Sequence, residues 1–440
     1  MTSVHSDLSR TLTKSITKTD KKDEGIYFTS SKTVNTILKS VEELCNDIDS
    51  VLEPSCGSCE FVDAIQNYYP NAKIIGVEKN KTIFKSIKDK TGDTIHLFND
   101  DYLNWNNKDK FDLIVGNPPY FVMKKKDVDK DYYDYFDGRP NIFLLFIIIS
   151  LQKLKDNGIL AFVLPRSFLT CLYYDKTRKF IADNYRIIDI QHCSDDYLET
   201  KQETIYIILR NEMNVEQFNN SLTKTIASNR FNAKSETDGL IQKYQNGMNA
   251  QISNNKRYID TISMYTIFIV ESERAKFDSL RKNCKTLHEK GFDVSIGSVV
   301  WNQCKNKLTG DDSKTRLIYS SDICDHELTM MEYNNKSKKN FIDKKGIAGP
   351  MLVMNRGYGV GTYNFEYCLI NIDKEYLIEN HLICVKYISH DNDEDVLDVY
   401  NKLIRSLDDK RTHEFVRVYF SNNAINLSEL AHILPIYEDL

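Results

Sequence analysis

The stretch Phe111-Asp112-Leu113-Ile114-Val115-Gly116-Asn117-Pro118-Pro119-Tyr120 leaves its backbone few options. The apolar run after Phe111 reads as a buried strand, and Gly116 ends it. Two prolines follow. Each fixes its own φ and keeps the residue before it out of the helical region, so Pro118 constrains Asn117 and Pro119 constrains Pro118. The product is a rigid loop at the carboxyl end of a strand. It presents one amide side chain, one backbone carbonyl free of ladder duty and one aromatic ring, a set suited to gripping a planar amine-bearing group.

Three upstream segments share this layout. Val51-Leu52-Glu53-Pro54-Ser55-Cys56-Gly57-Ser58-Cys59-Glu60 reads as a short strand, a loop of small residues and a helix start. Small residues let a ligand approach the backbone, and a helix N-terminus offers free N–H groups, although a tight turn that binds nothing would use the same residues. Lys73 to Glu78 forms a second strand ending in a carboxylate, the position that commonly takes two ribose hydroxyls in a doubly wound sheet. His96 to Tyr102 ends with carboxylates beside an aromatic ring, which suits an adenine amino group and its face, or else a solvated acidic turn. Strand, helix, strand, strand and strand over about seventy residues mark an α/β parallel sheet, with every polar motif at a carboxyl end.

A chain of 440 residues holds two or three domains with full cores, and 41% hydrophobic with 28% charged residues is the balance of a soluble globular protein. The longest apolar run, Ile142 to Leu151, is about half a bilayer span and reads as a buried helix. Met1 to Glu24 is rich in Thr, Ser, Lys and Asp, has no signal-peptide core and reads as a disordered tail. Ten scattered cysteines point to a reducing compartment, and Cys56-x-x-Cys59 lacks a second ligand pair, so no metal site is expected. A net charge of −5 neither advertises nor excludes nucleic acid, because a binding face needs only local basicity.

Lys32 to Cys45 reads as a helix with Thr29 or Ser30 as N-cap. Beyond Tyr120, a polar loop with Lys124 to Lys126 leads to a helix over Asn141 to Lys155 and a strand over Ile159 to Pro165. A helix over Tyr173 to Asn184 and strands over Arg186 to Gln191 and Thr204 to Leu209 follow, the last inserted antiparallel. Asn211 to Asn255 reads as an irregular connection, and short strands with a terminal helix suggest another domain from near Leu280.

Glu53-Pro54-Ser55-Cys56-Gly57, Glu78, Asp101-Tyr102 and Asn117-Pro118-Pro119-Tyr120, in that order, resemble the gamma class of amino-group DNA methyltransferases, the adenine-N6 enzymes of the TaqI methyltransferase type. The resemblance implies a Rossmann-like doubly wound α/β sheet, mostly parallel with one antiparallel strand, over residues 25–275 behind a tail of 1–24. An α+β target-recognition domain would occupy 276–440. S-adenosyl-L-methionine is the implied methyl donor, with Thr29, Glu53, Pro54, Ser55, Cys56, Gly57 and Pro119 at its methionine end. Glu78 would take its ribose, and Asp101 with Tyr102 its adenine. Asn117, Pro118 and Tyr120 would hold a flipped-out target base.

The implied partner is double-stranded DNA, with candidate contacts at Tyr197, Leu198, Lys201, Lys305, Arg316, Lys345 and Arg356. The resemblance further implies a monomer with no membrane contact and a possible cognate restriction endonuclease. It points to a cytoplasmic setting in a prokaryotic or viral system, or a nuclear one if host DNA is the target. Three departures stand out. Cys59 replaces the family's second loop glycine, Thr29-Ser30 stands for a Thr-Pro pair, and the second base-flanking aromatic is missing, its place falling near Tyr197-Leu198, where Tyr197 substitutes or else the base packs on Leu198. The same loop chemistry serves enzymes acting on RNA adenines or glutamine amides, and a catalytically idle DNA-binding subunit is the reading from another class.

Overall fold

Leu113 and Val115 face one side of a sheet and Ile114 the other, the alternation a strand imposes, and both sides are buried. That sheet has seven strands in the order β3-β2-β1-β4-β5-β7-β6. Its members are β1 (Ser50–Glu53), β2 (Lys73–Val77), β3 (Ile95–Phe98), β4 (Phe111–Gly116), β5 (Leu154–Pro165), β6 (Arg186–His192) and β7 (Thr204–Arg210). The computed structural model describes residues 5–193, 203–212, 255–333, 335–355, 365–389, 395–420 and 425–439.

Strand β1 pairs in parallel with β2 on one side and with β4 on the other. The chain therefore winds outward in opposite directions from β1 and β4, and the crevice above their carboxyl ends is the topological switch point where such sheets take ligands. Strand β7 runs antiparallel between β5 and β6, as expected.

Helix α3 (Ser31–Leu44) starts where the Ser30 hydroxyl accepts from Thr33 N at 3.1 Å, and its Val34, Ile37, Leu38 and Val41 are buried. Helix α4 (Glu60–Tyr68) follows β1, and α5 (Lys81–Ile87) follows β2. Helix α6 (Ile142–Gln152) is buried from Ile142 to Leu151, which explains a sequence with no polar face. Helix α7 (Asp175–Asn184) precedes β6.

The N-terminal segment is not a disordered tail. Two helices, α1 (Asp7–Ser15) and α2 (Lys18–Glu24), occupy it, capped by the Ser6 and Thr17 side chains. Leu8 and Leu12, four apart on one helix face, and Ile16 at the C-cap pack with Ile83 of α5. Three apolar residues suffice for docking, too few to register in composition.

The chain divides into two compact units, residues 1–169, 173–260 and 266–274 in the first and 170–172, 261–265 and 275–440 in the second. The second has a four-stranded antiparallel sheet of Phe292–Ile296, Leu382–Tyr387, Met351–Asn355 and Tyr367–Ile370. Four short strands form another sheet, and helices Val396–Asp408, Lys410–Tyr419 and Leu427–His432 complete an α+β unit. No helix of the described residues is long and apolar enough to cross a membrane.

Candidate active site

A cavity of about 510 Å³ opens at the switch point of the first unit. Pro54, Ser55 and Gly57 line it from the loop after β1, Glu78 from the end of β2, and Asp101 with Tyr102 from beyond β3. Asn117 and Pro119 line it from the loop after β4. Four segments separated in sequence thus meet because parallel strands place all their carboxyl ends on one side.

Glu78 is buried, its two oxygens accepting from Gly57 N at 2.9 Å and Asn80 N at 2.7 Å. Burial raises its pKa to about 7, although those backbone donors pull the other way. Glu53 is buried beside the loop, and its Oε2 has no hydrogen-bond partner among the described residues. Burial pushes its carboxyl well above the ordinary range, and the charges of Cys59, Asp63 and Glu78 add to the effect. Asp101 is engaged locally, capping a turn through Leu103 N at 3.2 Å and pairing with Lys79 at 2.9 Å. Tyr102 is buried with its hydroxyl 2.9 Å from Ser150 Oγ.

Thr29, Glu53 and Cys56 are buried, and none of them is among the residues lining the cavity. Cys59 has a φ of 66°, so this cysteine adopts the left-handed conformation for which glycine is favoured, and the departure at this position carries strain.

The loop after β4 is tied down at several atoms. Asn117 Nδ2 donates to the Tyr27 carbonyl at 3.2 Å, while Asn117 Oδ1 accepts from the Tyr120 hydroxyl. A carbonyl only accepts, so the Tyr27 oxygen orients the amide with its nitrogen toward Tyr27. The Tyr120 hydroxyl also lies 2.9 Å from Val163 O, and Ser55 Oγ donates to Asn117 O at 3.2 Å. Phe143 meets the Tyr120 ring edge-on at 6.0 Å.

Sequence reasoning missed Tyr27, Phe28 and Asn80, which also line the cavity. The available signal was Gly25, whose φ of +65° ends α2 and whose missing side chain admits Tyr120 N. Among the candidate DNA contacts, Lys305 and Lys345 are exposed in the second unit. Arg316 is a correction. It is buried, donating to Asp322 Oδ2 at 3.4 Å and Thr329 O at 3.1 Å, so its guanidinium is committed inside the unit and presents nothing to a phosphate. Tyr197, Leu198, Lys201 and Arg356 lie outside the described residues.

Residues 14–198 match the profile of the Eco57I restriction-modification methylases. Over 434 residues the chain is 24% identical to Type II methyltransferase M.CvrRI of Paramecium bursaria Chlorella virus XZ-6E, covering 96% of this chain and 97% of that protein. The chain is a methyltransferase similar to those of restriction-modification systems.

It is also 31% identical over 217 residues to modification methylase CviBIII of Paramecium bursaria Chlorella virus NC1A, covering 48% of this chain and 55% of that one. Against Type II methyltransferase M.AccI of Acinetobacter calcoaceticus the figures are 25% over 292 residues, with 63% and 52% covered. The methyltransferase thus spans nearly the whole of the first relative and about half of the other two.

S-adenosyl-L-methionine suits this cavity. Glu78 offers a carboxylate to hydroxyls, Phe28, Ile142 and Phe146 offer apolar wall, and behind the lining Glu53 Oε2 lacks, among the described residues, a donor of the kind an ammonium group supplies.

Proposed function

We propose that the methyltransferase methylates the N6 amine of adenine at a specific site in DNA. The observation that carries this reading is the Asn117 amide, its nitrogen held by the Tyr27 carbonyl and its oxygen turned to accept, here from the Tyr120 hydroxyl that a base amine would replace. The exocyclic amine of adenine is a poor nucleophile because its lone pair is delocalised into the ring. Asn117 Oδ1 and the Pro118 carbonyl bond its two N–H groups and favour a pyramidal nitrogen, a case of orientation with preorganised dipoles. Bound in the cavity, S-adenosyl-L-methionine supplies an electrophilic methyl group. No carboxylate base is needed, since the amine loses its proton after attack. Tyr120 stacks on the base, which must leave the duplex to reach the loop.

DNA is favoured over RNA or a glutamine amide by the likeness to a Type II methyltransferase along nearly the full length, second unit included. Sequencing DNA from cells that express the gene tests this directly. N6-methyladenine at one short motif is the expected result. Unmodified DNA beside methylated RNA or protein would transfer the reading to those substrates.

Tyr120→Ala should raise the DNA KM roughly tenfold, given stacking of about 1–3 kcal/mol per base, whereas Tyr120→Phe should stay within a few-fold in steady-state assays. A phenylalanine variant as poor as alanine would show that the hydroxyl contributes more than the stack.

Cofactor affinity should depend on pH through Glu78, raised to about 7. The ionised carboxylate is the stronger acceptor for ribose hydroxyls, so affinity is full above that pH and falls as Glu78 protonates below it. Calorimetry should find Kd roughly tenfold weaker at pH 6 than at pH 8, and Glu78→Gln should flatten the dependence. An unchanged pH profile in the glutamine variant would assign the titration elsewhere.

A further inference from the structure

Building on the adenine reading above, we infer that Tyr27 is the second stacking face for the target base, which sits between the Tyr27 and Tyr120 rings. The two rings are near parallel, 26° apart, with centroids 6.1 Å from each other. A planar base between two rings needs a contact of roughly 3.5 Å on each side, about 7 Å between the ring planes, so the Tyr27 ring must swing away from Tyr120 to admit it.

The two rings are held differently, and this makes the opening possible. Tyr120 is the fixed side. Its hydroxyl is bonded to Asn117 and Val163, and Phe143 stands edge-on against it. Tyr27 is fixed only in its backbone, by the bond from Asn117 Nδ2 to its carbonyl. Its ring is half-buried, and its hydroxyl has no hydrogen-bond partner among the described residues. A side-chain rotation can therefore widen the gap without disturbing Asn117. In the absence of a base, the mutual stack of the two tyrosines covers surface that the base would otherwise cover.

The position also suits the chemistry. Tyr27 borders the same cavity as Asn117 and Pro119, so a base held against it presents its amine at the loop's acceptors. The carbonyl of Tyr27 orients the Asn117 amide while the ring of the same residue would clamp the base. Acceptor and base plane are thereby set by one short segment.

The test uses the full-length protein and two duplexes of the site found by sequencing, one with an unmethylated target adenine for kinetics and one with 2-aminopurine at that position for fluorescence. Stacking quenches this probe, and exposure brightens it. For Tyr27→Ala, the DNA KM should rise roughly tenfold, the emission of the bound probe should increase, and the Kd for S-adenosyl-L-methionine should stay within twofold. Tyr27→Phe should recover both KM and quenching, because the face and not the hydroxyl is used. Tyr27→Leu keeps apolar bulk for a chain that tolerates alanine poorly, and it should brighten the probe as well.

An alanine or leucine variant with unchanged KM and emission would overturn the inference. So would a phenylalanine variant as defective as alanine, or a loss confined to cofactor binding. A wild-type protein that methylates no DNA adenine would instead remove the adenine reading itself.

Discussion

Asn117→Ala is expected to reduce single-turnover methyl transfer by roughly 10²–10³-fold, the loss seen when one preorganised hydrogen-bonding group is removed from a polar transition state. Binding of S-adenosyl-L-methionine should change little, because the cavity's acidic and apolar walls come from other segments. The alanine removes the acceptor for one amine N–H and leaves the Tyr27 carbonyl without the amide donor it now holds at 3.2 Å. Asn117→Asp separates these roles. A carboxylate still accepts but cannot donate, and it faces the Tyr27 carbonyl with like partial charge, so the aspartate variant should also be strongly impaired. Full activity in either variant, measured with a radiolabelled methyl group, would falsify the mechanism.

The loop after β4 was readable from sequence because its constraints are local. Two prolines after a strand-ending glycine allow few conformations, and apolar runs with polar ends at regular spacing imply a parallel sheet whose ends converge. What sequence could not supply was the outcome of contacts between distant segments. Leu8, Leu12 and Ile16 dock on Ile83 only because α5 stands there, so a tail polar in composition became two helices. Arg316 looked like a surface cation, but its burial depends on Asp322 and the Thr329 carbonyl folding over it. Asp101 read as a ligand for adenine, yet much of its hydrogen-bonding capacity goes to its own turn and to Lys79. Tyr27 gave no signal of its own beyond the nearby Gly25, being one tyrosine among 26 until its carbonyl is found against Asn117.

Gly25 is where that long-range tie can be broken most sharply, and Gly25→Ala should be the most damaging small substitution in the first unit. Its φ of +65° already disfavours a side chain, at about 1–2 kcal/mol for an L-residue. The added Cβ would also lie 2.5 Å from Tyr120 N and 2.9 Å from Tyr120 C. Both are backbone atoms in a stretch stiffened by prolines, so no flexible side chain is available to yield. One of the two segments must move, and either movement separates the Tyr27 carbonyl from Asn117. A displacement near 1 Å at such a site costs on the order of 10²-fold in rate, and the strain should lower the melting temperature by about 4 °C or more. Gly92→Ala is the matched control, since a Cβ there meets nothing within 4 Å and its φ is not positive. Methyl-transfer rates and thermal melts on the pair separate a general glycine effect from this one. If Gly25→Ala kept the wild-type rate, the catalytic loop would hold its shape without the segment that carries Tyr27, and the orientation assigned to Asn117 would need another source.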